Sequence, residues 1–173
     1  MPMSIPVQNL SKSVLFGTAF GLFFGLIDFI SLGTMMISIS LLAGLVSLVT
    51  YLILLYFIMN EDNLENFKKR FLAGILFSLT IGLTYGFITG IASAVFAENV
   101  LEVGNQISSI FQDMGFNTQL TTDGDREPTP VFNFIYQFFV SVIFNLFAGS
   151  IFSAIFALVI SKKNDTQPQV SNP

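Results

Sequence analysis

Asp28 and Asn145 are the polar side chains of this 173-residue sequence most apt for chemistry, because both interrupt long apolar runs. A carboxylate held at mid-membrane depth costs about 2.5–3.5 kcal/mol on insertion scales, so its depth decides its meaning. Asp28 falls a turn or so before the polar turn at Ser31-Leu32-Gly33-Thr34, where water is close. It reads as a solvated carboxylate near a helix end, or as a cation or proton site lining an outward cavity. Asn145 falls near the middle of its run and suits an interhelical hydrogen bond, worth about 0.6–2 kcal/mol in membranes. Thr80, Thr84, Tyr85 and Thr89 add hydroxyls that are expected to bond backbone carbonyls.

Most other chemistry is excluded by composition. The chain has no His and no Cys, which removes the commonest general base, the commonest metal ligand, thiolate metal sites, disulfides and Cys/His dyads. No Gly-rich phosphate loop is present, and glycines that recur every fourth residue do not match a dinucleotide fingerprint. The expectation is therefore no catalytic residue, no metal site and no cofactor; the chain does not read as an enzyme. A net charge of −4 with no basic stripe also argues against nucleic acid as a partner.

The elements that hold these residues follow from the apolar runs. Hydrophobic residues make up 53% and charged residues 10% of the chain, whereas soluble domains carry roughly 25% charged. Runs over 14–30, 35–59, 72–96 and 131–160 are each long enough for the ~20-residue helix that a bilayer requires. The expected fold is an all-α membrane protein: four transmembrane helices in two hairpins, forming a single domain over 1–163. The first run reads as a span rather than a cleaved leader, since only 31–34 separate it from the second.

Six of the seven Lys and Arg residues flank the first, second and fourth runs on one side, and only Arg126 falls on the other. The positive-inside rule then places both termini and the 60–71 loop in the cytoplasm, with 31–34 and 97–130 outside. Glu98, Glu102, Asp113, Asp123, Asp125 and Glu127 make the outer segment acidic. That segment reads as a solvated loop, or as a weak cation-attracting vestibule or docking face for a basic partner. Within it, Val100, Val103, Ile107, Ile110, Phe111 and Met114 recur at helical spacing, so a short amphipathic helix is expected over 98–114. A mobile loop is expected over 115–130 and a disordered tail over 164–173.

Small residues mark the packing faces. The third run carries Gly74, Ser78, Gly82, Gly86, Gly90 and Ala94 at every fourth position, and the first carries Gly17, Gly21 and Gly25. The fourth has Ser141, Asn145, Gly149, Ser153 and Ala157 on a comparable line. Such ridges let helix backbones approach closely. They read as the glue of the chain's own bundle, or with one ridge spare as an interface to a second copy or another membrane protein.

The stretches Phe67-Lys68-Lys69-Arg70-Phe71-Leu72-Ala73-Gly74, Ile107 to Met114 and Val159-Ile160-Ser161-Lys162-Lys163 resemble a family of small bacterial four-helix membrane proteins, domain of unknown function 4199. Members often carry an Arg-Asp or Lys-Asp pair soon after the second helix, where this chain has Asn60-Glu61-Asp62. The resemblance implies a bacterial cytoplasmic membrane and brings no activity or ligand with it. The expected role is a structural or accessory protein acting through helix packing in the lipid bilayer. The alternative is a small transporter or channel subunit with a cation path near Asp28 and Asn145.

Overall fold

The computed structural model describes residues 7–61, 64, 66–113 and 129–165. Five helices account for them: α1 (Val7–Thr34), α2 (Ile37–Met59), α3 (Phe67–Val95), α4 (Ala97–Asp113) and α5 (Pro130–Asp165), with no strand among the described residues. Of these, α1, α2, α3 and α5 are long and apolar enough to cross a membrane. Most of the expected loop over 115–130 lies outside the described residues, as does the tail from 166; Asn164 and Asp165 continue α5.

Local chemistry sets the helix ends. Asn66 caps α3, its side-chain oxygen accepting from the Lys69 amide at 3.0 Å. Pro130 opens α5 at a position where its missing N–H costs nothing. The end of α1 is less obvious from sequence, because the helix runs straight through Gly33. Met35 then takes φ 55°, the left-handed region that favours glycine. The Met36 amide donates back to the Ser31 carbonyl at 3.1 Å and the Met35 amide to Leu32 at 3.4 Å. This pair of bonds is the Schellman termination, made here by a methionine.

The third span is the spine of the bundle. Its glycine face meets α5 in antiparallel register: a methyl on Gly86 would come within 3.1 Å of the Phe138 carbonyl and the Ser141 Cβ, and one on Gly90 within 2.9 Å of the Phe134 ring. Gly82 lies against Val142 and Asn145, and Gly74 against Ser153. The opposite relation holds on the next seam. There α1 supplies the glycines, with Gly17 seated on Phe77 and Thr80, Gly21 on Thr84, and Gly25 on Ile88. Glycine thus meets threonine and isoleucine across α1 and α3, rather than glycine meeting glycine. Either way the backbones close to a distance that any larger side chain would prevent.

By comparison, α2 is lightly held. Tyr51, Leu55, Ile58 and Met59 bury its second half against α3 and α5 in a cluster with Phe77, Ile81, Ala157 and Ile160. The Tyr51 hydroxyl shares a 2.7 Å hydrogen bond with Ser78, beside Gly149. The fully buried Arg70 donates to the Met59 carbonyl, placing positive charge on the carbonyl end of α2. Lys12 pairs with Glu61 at 2.7 Å at the same end of the bundle. In the first half of α2, Leu41, Leu42, Leu45, Val46 and Val49 are all exposed. A methyl added to Gly44 would meet nothing within 4 Å.

Candidate functional site

Where the first half of α2 stands away from the spine, a cavity of about 740 Å³ is left. Four elements line it before α5 completes it with Gln137: Asp28, Ser31 and Leu32 on α1, Leu41, Gly44 and Leu45 on α2, Tyr85, Thr89, Ala92 and Ser93 on α3, and Val100 and Val103 on α4. Small-molecule sites typically span about 300–1,000 Å³ and combine apolar walls with a few convergent polar groups. This chamber meets both criteria.

Helical spacing brings its polar groups together. Asp28 and Ser31 are one turn apart on α1, and Tyr85, Thr89 and Ser93 follow each other at four-residue steps on α3. The close glycine seam between α1 and α3 sets these two rows against each other. Across them the Tyr85 hydroxyl donates a hydrogen bond to the Asp28 carboxylate. This contact between two helices fixes the position of the Asp28 carboxyl group.

Two further hydroxyls donate away from the carboxylate. Thr89 donates to the Tyr85 carbonyl at 2.9 Å, and Ser31 donates to the Met36 carbonyl at 2.8 Å. Their oxygen lone pairs are left to accept. No Lys or Arg lines the chamber among the described residues. Asp28 is the one acidic group among the described lining residues, and Ser93 and Gln137 add a hydroxyl and an amide.

At the α4 end the chamber is lined by apolar side chains. Val100 and Val103 turn inward, whereas Glu98, Glu102, Asn105 and Asp113 are exposed. The Asn99 amide donates to the Leu32 carbonyl at 2.9 Å, tying α4 to the end of α1. The acidic residues of α4 thus lie outside the chamber rather than along it.

Of the two polar residues singled out from sequence, Asp28 lines the chamber and Asn145 does not. The Asn145 amide donates within its own helix, to the Ser141 carbonyl at 2.8 Å, and its Cβ packs at Gly82 in the α3–α5 seam. The packing residues Gly74, Ser78, Gly82, Gly86, Gly90, Gly149 and Ser153 occupy that same seam, and Gly17, Gly21 and Gly25 the α1–α3 seam. Thr80, Thr84 and Thr89 bond carbonyls of α3 at 2.8–2.9 Å, but Tyr85 reaches across to Asp28 instead. Ser31, Ser93 and Gln137 are chamber residues that sequence reasoning passed over. The signal for the first was its one-turn offset from Asp28; for Ser93 it was the hydroxyl row starting at Tyr85.

A second, smaller cavity of about 360 Å³ surrounds the Lys12–Glu61 pair, walled by Phe16, Leu54, Phe57 and Ile58. No group of three or more potential metal-ligating side chains occurs among the described residues. The chain matches no family model, no curated protein and no solved structure.

Proposed function

We propose that this chain is a non-enzymatic accessory protein of a cell membrane that receives a small guest molecule in the chamber at Asp28. In this reading α1, α2, α3 and α5 span the bilayer as two hairpins, with both termini in the cytoplasm. The lopsided distribution of Lys and Arg supports that orientation. Amphipathic α4 then lies in the outer interface, with Val100 and Val103 toward the bundle and its acids toward water. The resemblance in 67–74, 107–114 and 159–163 adds a bacterial cytoplasmic membrane to the proposal. Its partners are the lipid bilayer and the guest.

The observation that carries the proposal is a Tyr85-anchored carboxylate opening into a mostly apolar space of about 740 Å³. A space of this volume with apolar walls and a polar group held in place has the makings of a small-molecule site. The absence of His and Cys from the sequence leaves no common acid–base or nucleophilic pair to act on the guest, so binding is the function proposed. A transport reading shares Asp28 but needs a continuous route past Asn145. That route would have to open the seam where Gly82 meets Val142 and Asn145.

Because the native chain has no Cys, single cysteines report access cleanly. Ser93→Cys should react with a membrane-impermeant maleimide added outside, and Asn145→Cys should not. Equal labelling at both would favour a through-path, and absence of labelling at Ser93→Cys would remove the chamber reading.

A further inference from the structure

A separate polar site lies at the far end of the bundle from the chamber, beside the start of α1 and the end of α2. There the Lys12 ammonium reaches both carboxylate oxygens of Glu61, at 2.7 and 3.0 Å. Helical spacing sets apolar side chains one to two turns further into the bundle. Phe16 follows Lys12 by four residues, and Ile58, Phe57 and Leu54 precede Glu61 by three, four and seven. Together these six residues line the cavity of about 360 Å³. It combines one charge of each sign at its end with apolar walls below.

The ion pair does not exhaust either partner. An ammonium has three N–H donors and an ionised carboxylate about four lone-pair sites. The contact between Lys12 and Glu61 takes up at most two of each. Both side chains are partly exposed, so a third group can reach them. Phe16 and Phe57 are exposed as well, on the surface that meets acyl chains when α1 and α2 span a bilayer. Pockets between membrane helices with a basic residue at headgroup level suit phospholipid headgroups. Here the second charge narrows the headgroup. A phosphate accepts from the spare Lys12 donor, and a primary ammonium donates to the spare Glu61 oxygens, so that four charges alternate in sign. A headgroup with a phosphate and no cation meets Lys12 favourably but sets a like charge beside Glu61. A quaternary ammonium brings the positive charge without an N–H to donate.

We propose that this groove holds a phospholipid with a primary-ammonium headgroup, its phosphate on Lys12, its ammonium on Glu61 and one acyl chain along Phe16, Leu54 and Phe57. The inference rests on α1 and α2 spanning the bilayer and is independent of the guest chamber.

Because the chain has no Trp, a single tryptophan reports on its local lipid by fluorescence quenching. Phe57→Trp in the full-length chain is reconstituted into phosphatidylcholine vesicles that contain a fixed fraction of brominated phosphatidylethanolamine. Leu158→Trp, an exposed position on α5 at the same end of the bundle, is the reference. Quenching at Phe57→Trp should show ethanolamine lipid enriched about twofold to fivefold over its bulk share, the range for a solvent-screened charge contact. Quenching at Leu158→Trp should match the bulk share. Adding Glu61→Gln to Phe57→Trp should abolish the enrichment and make brominated phosphatidylglycerol the better quencher, since Lys12 then stands alone. Equal quenching by brominated ethanolamine and choline lipids at Phe57→Trp would overturn the proposal. So would the same enrichment at Leu158→Trp, or an enrichment that survives Glu61→Gln.

Discussion

The Tyr85 hydroxyl on α3 donates to the Asp28 carboxylate on α1, joining residues 57 apart in the chain at the wall of the 740 Å³ chamber. The bond depends on the glycine seam beside it. Gly25, one turn before Asp28, packs directly on Ile88, one turn after Tyr85. The closeness of two backbones is thereby converted into the placement of one carboxylate. Tyr85→Phe removes the donor and keeps the ring, so it should lower stability by about 0.5–3 kcal/mol, the range that covers a hydrogen bond to a carboxyl group. Thermal unfolding in mild detergent reads the effect, and an unchanged midpoint would mean that the pair contributes nothing.

Glycines of the seams and the glycine of α2 should respond oppositely to enlargement. Gly86→Leu drives a side chain into the Phe138 carbonyl and the Ser141 Cβ, each 3.1 Å from the position of a first methyl. Overpacking of this kind costs about 1–3 kcal/mol or more, and here it pries α5 from the spine. At Gly44 a first methyl meets nothing within 4 Å, so Gly44→Leu should unfold at the wild-type temperature. Size-exclusion profiles and unfolding midpoints of the two variants compare them directly.

At the other end of the bundle, burial separates two cation contacts. Arg70 is 2% exposed and donates to the Met59 carbonyl, whereas the side chains of the Lys12–Glu61 pair are 49% and 28% exposed. Arg70→Met leaves a helix-terminal carbonyl without this donor and should destabilise by about 1–3 kcal/mol. Lys12→Ala loses a solvent-screened pair and should cost about 1 kcal/mol or less, with the difference shrinking in high salt. Equal losses in the two variants would contradict the burial argument.

Met35 holds a left-handed conformation that costs a non-glycine residue about 1–2 kcal/mol. Met35→Gly relieves this while keeping the two terminating hydrogen bonds of α1. It should raise the unfolding midpoint, by about 1 kcal/mol after allowing for the extra freedom of glycine in the unfolded chain. A lowered midpoint would show that the methionine side chain matters more to the turn than its backbone does.

Much of this architecture was legible in the residues, and the reasons are physical. Apolar runs longer than a bilayer is thick admit few structures but helices, so the four long helices follow from 14–30, 35–59, 72–96 and 131–160. Ends were less legible: α1 continues past Gly33 because the Schellman turn closes on Met35, and no residue type announces that. Small-residue ridges announce close approach but not the partner. Gly17, Gly21 and Gly25 could as readily have faced the glycines of α3 as Thr80, Thr84 and Ile88. Asp28 was visible as a candidate because a carboxylate in an apolar run is rare. Its relation to Tyr85 was not, because it depends on the rotation of two helices about their axes. Arg70 looked like a loop charge, and only the tertiary fold brings it onto the end of α2.

The most direct test of the guest chamber is access to its wall. Ser93→Cys and Asn145→Cys, each in the otherwise cysteine-free chain, are exposed to a membrane-impermeant maleimide added outside. Ser93→Cys should label and Asn145→Cys should not. No labelling at Ser93→Cys, or equal labelling at both positions, would contradict a chamber that opens outward at Asp28.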